Sequence, residues 1–457
     1  MKLKNLYDYN IEYDLLNNID INLLKEYKFL PILKDTLYIL VATSDENLDV
    51  NIVKNILKQP IKLIYINKDF LELSFLHLDF QKKLFLLASK SLSISKNDKN
   101  SYIIEFMDEL FKFCIKNNGS DIHIEALDKS VIIRFRIDGD LNQLFSFKIK
   151  LYPIISSIIK YFASLDISQK RLPLDGRFSR YIYENNYDFR VSTLPTIYGE
   201  SIVLRILDNK NINKELENIG FDDNELDIIK TVLPLTSGMI LVTGPTGSGK
   251  TTTLYSMLKR INKNSKKIIT VEDPVEYKLK GIMQVNVNTD IGLDYTTVLK
   301  NILRQDPDII MIGEIRDSQS LQIAIQASLT GHLVIATLHT NSATETITRL
   351  FDMGAKSYLI ANTLKLILSQ RLVRVLCKYC KGAKCKECNL TGYNSRAIVS
   401  EALKFDENIS KMVSKQIDVK NILDYAIDNN SFQTIQSNGM KLVNNNITSL
   451  EEYYAKI

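Results

Sequence analysis

No window of the 457-residue sequence approaches the ~20 consecutive apolar residues needed to cross a bilayer, and no basic start leads into an apolar export run. These absences predict a cytoplasmic protein that reaches a membrane only peripherally, through partners. Concentrated charge is missing as well: the net charge is +5, with Lys interspersed among Glu and Asp. That excludes the basic block of a nucleic-acid-binding surface, so no direct nucleic-acid partner is expected. Cysteine is limited to five residues, and four of them crowd into twelve positions. In a reducing compartment such a crowd speaks for a metal site rather than a disulfide framework. No internal repeat is visible. What remains is ordinary for folded proteins, with 45% hydrophobic and 24% charged residues, over a length that calls for several domains.

Residues 1–95 carry short apolar runs such as Leu37–Ala42 and a helical pattern around Val50–Leu57, and read as a small α/β accessory or docking domain. The polar run Ser91–Ser101 reads as a linker. A second domain, 101–208, opens with Phe106, Met107, Leu110, Phe111, Cys114 and Ile115 at helical spacing, which makes Cys114 a core thiol. Val131, Ile133, Phe135 and Ile137 then alternate as in a half-buried strand, and Asp138-Gly139 turns it into a hairpin. From Met239 apolar strands alternate with helical segments, the pattern of a parallel sheet covered on both faces, and this core spans 216–375. A cysteine knuckle fills 376–395. The remainder, 396–457, reads as helical around Ala402–Phe405, Val419–Ile427 and the terminal region.

The segment GPTGSGKT, Gly244–Thr251, lies between the apolar strand MILVT and a helix starting near Lys250. It fits the pattern of a phosphate-binding loop for a nucleoside triphosphate. Gly244, Pro245, Thr246, Gly247, Ser248 and Gly249 form the loop, whose N–H groups curl toward the phosphates, and Lys250, Thr251 and Thr252 open the helix. Lys250 is expected against the β- and γ-phosphates, and the Thr251 hydroxyl on Mg²⁺.

Two strands end in carboxylates. IITVEDPVEY delivers Glu272, Asp273 and Glu276 to its C-terminal end, and DIIMIGEIRD delivers Glu314. This is the edge where α/β proteins bind ligands. Glu314 is assigned to the metal or the attacking water, Glu272 to polarising that water, and Glu276 to a helper role; the roles are exchangeable. Only four histidines are present, and His332 and His339 bracket the strand Leu333–Leu338. A γ-phosphate contact is assigned to His339, while His332 stands between a site role and a structural one. His77 and His123 read as structural.

In this order TVEDPVEY, LRQDPDIIMIGEIRD and LTGHLVIATLHTNSATETITRLFDMG resemble the acidic, strand-Gly-Glu and histidine boxes of the type II secretion and type IV pilus assembly ATPases. The resemblance is close over about Asp121–Glu401. It implies a RecA-like P-loop NTPase motor domain preceded by a PAS-like α/β sheet domain and a small N-terminal α/β domain, with a short four-cysteine metal-binding insertion and a helical C-terminus. It implies ATP hydrolysis with Mg²⁺ by a homo-hexamer. Its partners would be an inner-membrane platform protein, the cytoplasmic domain of a secretion or pilus membrane protein and, indirectly, pilin-like subunits. It also gives meaning to Arg190 in DFRVSTLP and Arg205 in VLRIL, arginines that would reach the triphosphate, with Arg177 as a third. Ser201 departs from the pattern, standing where the family commonly has arginine. A conjugation or type IV secretion traffic ATPase and a non-hydrolysing nucleotide-binding scaffold are the alternative functions.

Cys377, Cys380, Cys385 and Cys388 form two C-x-x-C pairs that suit a tetrahedral, structural zinc, with Lys378, Lys381, Lys384 and Lys386 offsetting the thiolate charge. The resembling assembly ATPases separate their pairs by a longer loop, so closure by four ligands is expected to be tight here. Free thiols and an iron cluster are the other readings.

Overall fold

A computed structural model describes residues 11–16, 19–93, 96–207 and 214–457. The chain divides into two compact units, Met1–Asp208 with Cys377–Asn394, and Asn209–Leu376 with Ser395–Ile457.

In the first unit β1 (Phe29–Lys34), β2 (Ile39–Thr43) and β3 (Ile61–Tyr65) form a sheet in that order, with β1–β2 antiparallel and β2–β3 parallel. The helix Val50–Leu57 makes the parallel crossover, and the Asp49 carboxylate caps it by accepting from the Asn51 N–H. Leu37, read as part of an apolar run, lies before β2 and is 78% exposed. A second sheet holds β4 (Gly119–Ala126), β5 (Ser130–Ile137), β6 (Asp140–Lys148), β7 (Leu174–Ile182), β8 (Asn185–Thr196) and β9 (Gly199–Leu207). Its order is β6-β5-β4-β9-β8-β7 and every pairing is antiparallel. Val131, Ile133 and Phe135 alternate into the core as their spacing predicts.

The run Ser91–Ser101 differs from its reading as a linker. One helix continues through Ser93 and another begins at Lys96, with residues 94–95 outside the described part. Leu84, Leu87 and Ala88 of the first helix and Ile103, Phe106 and Leu110 of the second enter one core, and that shared burial outweighs the polar composition of the junction. Cys114 lies fully buried in the same core, where desolvation raises its thiol pKa strongly.

In the second unit β10 (Gly238–Thr243), β11 (Ile268–Glu272), β12 (Met283–Asn286), β13 (Ile309–Ile312), β14 (Leu333–Leu338), β15 (Leu364–Leu376) and β16 (Tyr393–Lys404) form one sheet of order β12-β11-β13-β14-β10-β15-β16. The pairings from β12 across to β15 are all parallel. Every residue of β10, β11, β13 and β14 is buried, because helices cover both faces. Val271, Ile312, Ala336 and Leu241 lie in one register row, so the C-terminal ends of these four strands come level. The residues that follow them are thereby gathered at one edge.

The helix expected at Ala402–Phe405 is corrected: Ala402, Leu403 and Lys404 belong to β16. The unbroken buried run Ile398–Leu403 carries neither helical nor alternating periodicity, and the sheet decides. The helix Val419–Asn430 contains the segment Val419–Ile427 as expected, and helices Ile435–Asn444 and Leu450–Lys456 follow. No helix among the described residues is long and apolar enough to cross a membrane.

Candidate active site

The chain leaves β10 at Thr243 and turns through Gly244, whose φ is +144°. A Cβ there would fall 2.4 Å from the Gln370 carbonyl oxygen, so no side chain fits. Pro245, Thr246 and Gly247 form the exposed tip, Ser248 turns inward, and Gly249 at φ +91° launches the helix Lys250–Ile261. The Ser248 hydroxyl oxygen is buried without a hydrogen-bond partner among the described residues, a polar group left for a ligand that brings its own oxygens. Lys250 Nζ donates to the Gly244 and Pro245 carbonyls at 2.8 and 2.9 Å. Burial lowers the pKa of this ammonium to about 8, against the pull of the Glu314 charge. Thr251 is exposed beside it and Thr252 is half-buried.

Lys250 and Thr251 line a cleft of about 160 Å³ together with Glu272, Glu276, Glu314 and His339. The sheet therefore brings together the loop, both strand-end carboxylates and one of the two bracketing histidines. Glu314 is held from two sides: Arg316 pairs with Oε1, and His339 Nε2 lies 3.3 Å from Oε2. Arg316 also reaches Asp273 at 3.4 Å. Glu272 is buried and accepts from the Tyr255 hydroxyl, from Thr270 Oγ1 at 2.6 Å and from Gln284 Nε2 at 3.1 Å. Of the roughly four lone-pair sites of a carboxylate, about one remains for a water. The hard oxygens of Thr251 and Glu314 fit a magnesium ion.

His332 stands at the opposite end of β14, ~20 Å of strand from His339. Its Nδ1 contacts the Ala327 carbonyl at 2.9 Å and Thr330 Oγ1 at 3.1 Å, closing the helix Ser318–Leu329. It is not part of the cleft.

Arg190 and Arg205 belong to the first unit, where β8 and β9 place them directly opposite each other, and Arg177 opposes Arg190 on β7. Arg205 Nε bonds to Asp121 at 2.8 Å, and Asp121 also receives Arg136 at 3.7 Å. Ser201 faces Glu125, whose carboxylate pairs with Arg134 instead.

Cys377, Cys380, Cys385 and Cys388 converge so that their four sulfurs lie within 4.8 Å of one another. The separations 377–385, 380–388 and 385–388 are 3.9, 3.8 and 3.8 Å. A tetrahedron of ~2.3 Å metal–sulfur bonds has edges of about 3.8 Å. Lys381, Gly382 and Lys384 adopt positive φ, which supplies the tight reversal that so short a loop needs. Burial alone would raise the Cys388 thiol, but donation from the Cys385 and Gly392 N–H groups, together with the Cys380 and Cys385 thiols, outweighs it and brings the pKa to about 7.

The model of a family described as type II/IV secretion system protein matches residues 96–455. The chain belongs to that family. This type II/IV secretion system protein is 41% identical over 380 residues to a putative type II secretion system protein E of Escherichia coli (strain K12), spanning 78% of this chain and 77% of that one. It is 40% identical over 383 residues to the type II secretion system protein E of Aeromonas hydrophila, spanning 78% and 75%. Among solved structures it resembles the pilus retraction motor PilT with bound ADP, at 28% identity and a TM-score of 0.57, over 76% of this chain and 96% of that chain. The Legionella pneumophila ATPase DotB shares the fold at a TM-score of 0.62 and 22% identity, over 77% and 95%.

Tyr255, Gln284, Arg316, Asp121 and Gln370 are not legible as site residues from the sequence. For Arg316 a signal exists, since it lies two residues past Glu314. The others act on partners remote along the chain.

Proposed function

We propose that this secretion-family protein is a magnesium-dependent ATPase, assembled as a homo-hexamer. It would power a type II secretion pseudopilus, a type IV pilus or a DNA-uptake system at the inner membrane. The observation that carries the ATPase reading is the cleft in which Lys250 of the phosphate loop meets Glu314, itself bonded to His339. Binding alone needs only the loop. A carboxylate pair and a histidine at the mouth of the same cleft supply what hydrolysis adds, a means of holding metal and orienting water.

Lys250 and the loop N–H groups would hold the β- and γ-phosphates, and Thr251 with Glu314 would hold the Mg²⁺, whose charge would offset that of the phosphates. Glu272 steadies a water through its remaining acceptor site, with Glu276 beside it, and His339 contacts the γ-phosphate. Arg190 and Arg205 meet charge developing on the phosphates. The ADP carried by PilT supports adenine as the base. The four thiolates hold a structural zinc, since four protein ligands leave no open position. Likeness to type II secretion system proteins E supports the pathway. An inner-membrane platform protein would be the partner and pilin-like subunits the indirect cargo.

Phosphate release by purified protein with Mg²⁺ and its membrane partner tests this reading. Wild type should hydrolyse ATP and Lys250→Ala should not. Wild-type protein that binds ADP yet releases no phosphate under those conditions is a scaffold, not an ATPase.

A further inference from the structure

Gln370 stands one residue beyond Ser369, the β15 partner of Thr243 on β10, and is fully buried. Both ends of its amide are engaged. Nε2 donates to the Ser248 carbonyl at 2.7 Å, and Oε1 accepts from Thr253 Oγ1 at 2.9 Å. Residues 248 and 253 bracket Lys250 and Thr251. The neighbouring Arg371 extends the same join: Nη1 donates to the Gln370 carbonyl at 3.1 Å, and Nη2 donates to the Asn341 carbonyl and Oδ1 at 3.1 and 2.9 Å, two residues past His339.

An apolar side chain would fill this space without the desolvation cost of an amide, so the hydrogen bonds are the reason for Gln370. The peptide joining Ser248 to Gly249 is planar and trans, so the Ser248 C=O and the Gly249 N–H point in opposite directions. Holding the carbonyl on β15 aims the Gly249 N–H away from the sheet. That N–H is among the donors with which such a loop cradles phosphate.

The geometry points to Gln370 as a positioning residue for nucleotide binding, one that orients the Gly249 N–H through the Ser248 carbonyl. This rests on the nucleotide reading above. The oriented donor meets the phosphates alike in the ground and transition states, so its loss falls on KM and not on kcat.

The test compares wild type with Gln370→Met, which removes both bonds, and Gln370→Glu, which keeps an acceptor for Thr253 but sets an oxygen against the Ser248 carbonyl. ADP affinity without magnesium and steady-state ATP hydrolysis are read for each. The expected result is a roughly tenfold rise in both the ADP dissociation constant and the KM for ATP, with kcat within about twofold. An unchanged KM overturns the inference, whether kcat falls, as for a side chain that only supports the fold, or stays level. Should Gln370→Met fail to fold, Gln370→Asn, too short to reach Ser248, is held to the same outcomes. Wild type that binds no ADP defeats the nucleotide reading itself, a separable result.

Discussion

The Tyr255 hydroxyl donates to the Glu272 carboxylate, so the helix that begins at the phosphate loop is bonded to the end of β11. Burial first, and then the Glu272 charge, raise the phenol pKa far enough that Tyr255 stays a donor at any working pH. Tyr255→Phe leaves a buried carboxylate oxygen short of a partner. A loss of about 2 kcal/mol in unfolding free energy and a severalfold fall in turnover are expected, read by denaturant unfolding and phosphate release. An unaltered turnover would show that Glu272 needs no such anchor.

Glu314 lies between the Arg316 guanidinium and the His339 imidazole, which together fix where its carboxylate points. Glu314→Gln should retain ADP affinity within about threefold while kcat drops by about a hundredfold or more. Isothermal titration and single-turnover hydrolysis separate the two effects. If affinity and turnover fall together, Glu314 serves binding and not the chemical step.

The four converging sulfurs predict one metal ion per chain, measurable by elemental analysis of protein purified without added zinc. Cys388→Ser should reduce that content to a small fraction of one. It should also lower the thermal midpoint, because a cysteine cluster bereft of metal leaves a short loop with little core of its own. Metal content near zero in the wild type would return the knuckle to free thiols.

Glu225 is buried against Ser400 and Asn438, and burial raises its carboxyl pKa from 4.5 to about 7. The folded state therefore binds a proton that the unfolded state gives up. Its contribution is fully present below about pH 4.5 and is lost as pH rises through 7. Glu225→Gln should match wild type near pH 4.5 and exceed it by about 3 kcal/mol at pH 8, in urea titrations at the two pH values. Parallel curves for the two proteins would refute the shift.

Legibility follows sequence separation. The phosphate loop, Glu272, Glu314 and His339 each sit at the end of a short apolar run, and a run plus its next residue is a local pattern. Gln370 meets Ser248 across 122 positions, and nothing in the stretch LILSQRLV says which strand of the sheet it will flank. The opposition of Arg177, Arg190 and Arg205 depends on the register of three strands, which the motifs alone do not specify. β16 escapes a reading from sequence because its buried run Ile398–Leu403 holds Ser400 and Glu401, so neither an alternating nor a continuous apolar pattern marks the strand. The junction near Ser93 escapes it for the reverse reason, since local polarity there is overruled by two helices that share a core.

The Lys250 ammonium, tied back to the carbonyls of Gly244 and Pro245, bears on how a catalytic cycle ends. An empty loop with a stranded cation would grip any anion and surrender it slowly. Here the cation has two internal acceptors, so on the proposed nucleotide reading an arriving phosphate would displace them and a departing one would be replaced by them. That exchange would weaken the grip and favour turnover, because product would leave a loop already able to satisfy itself.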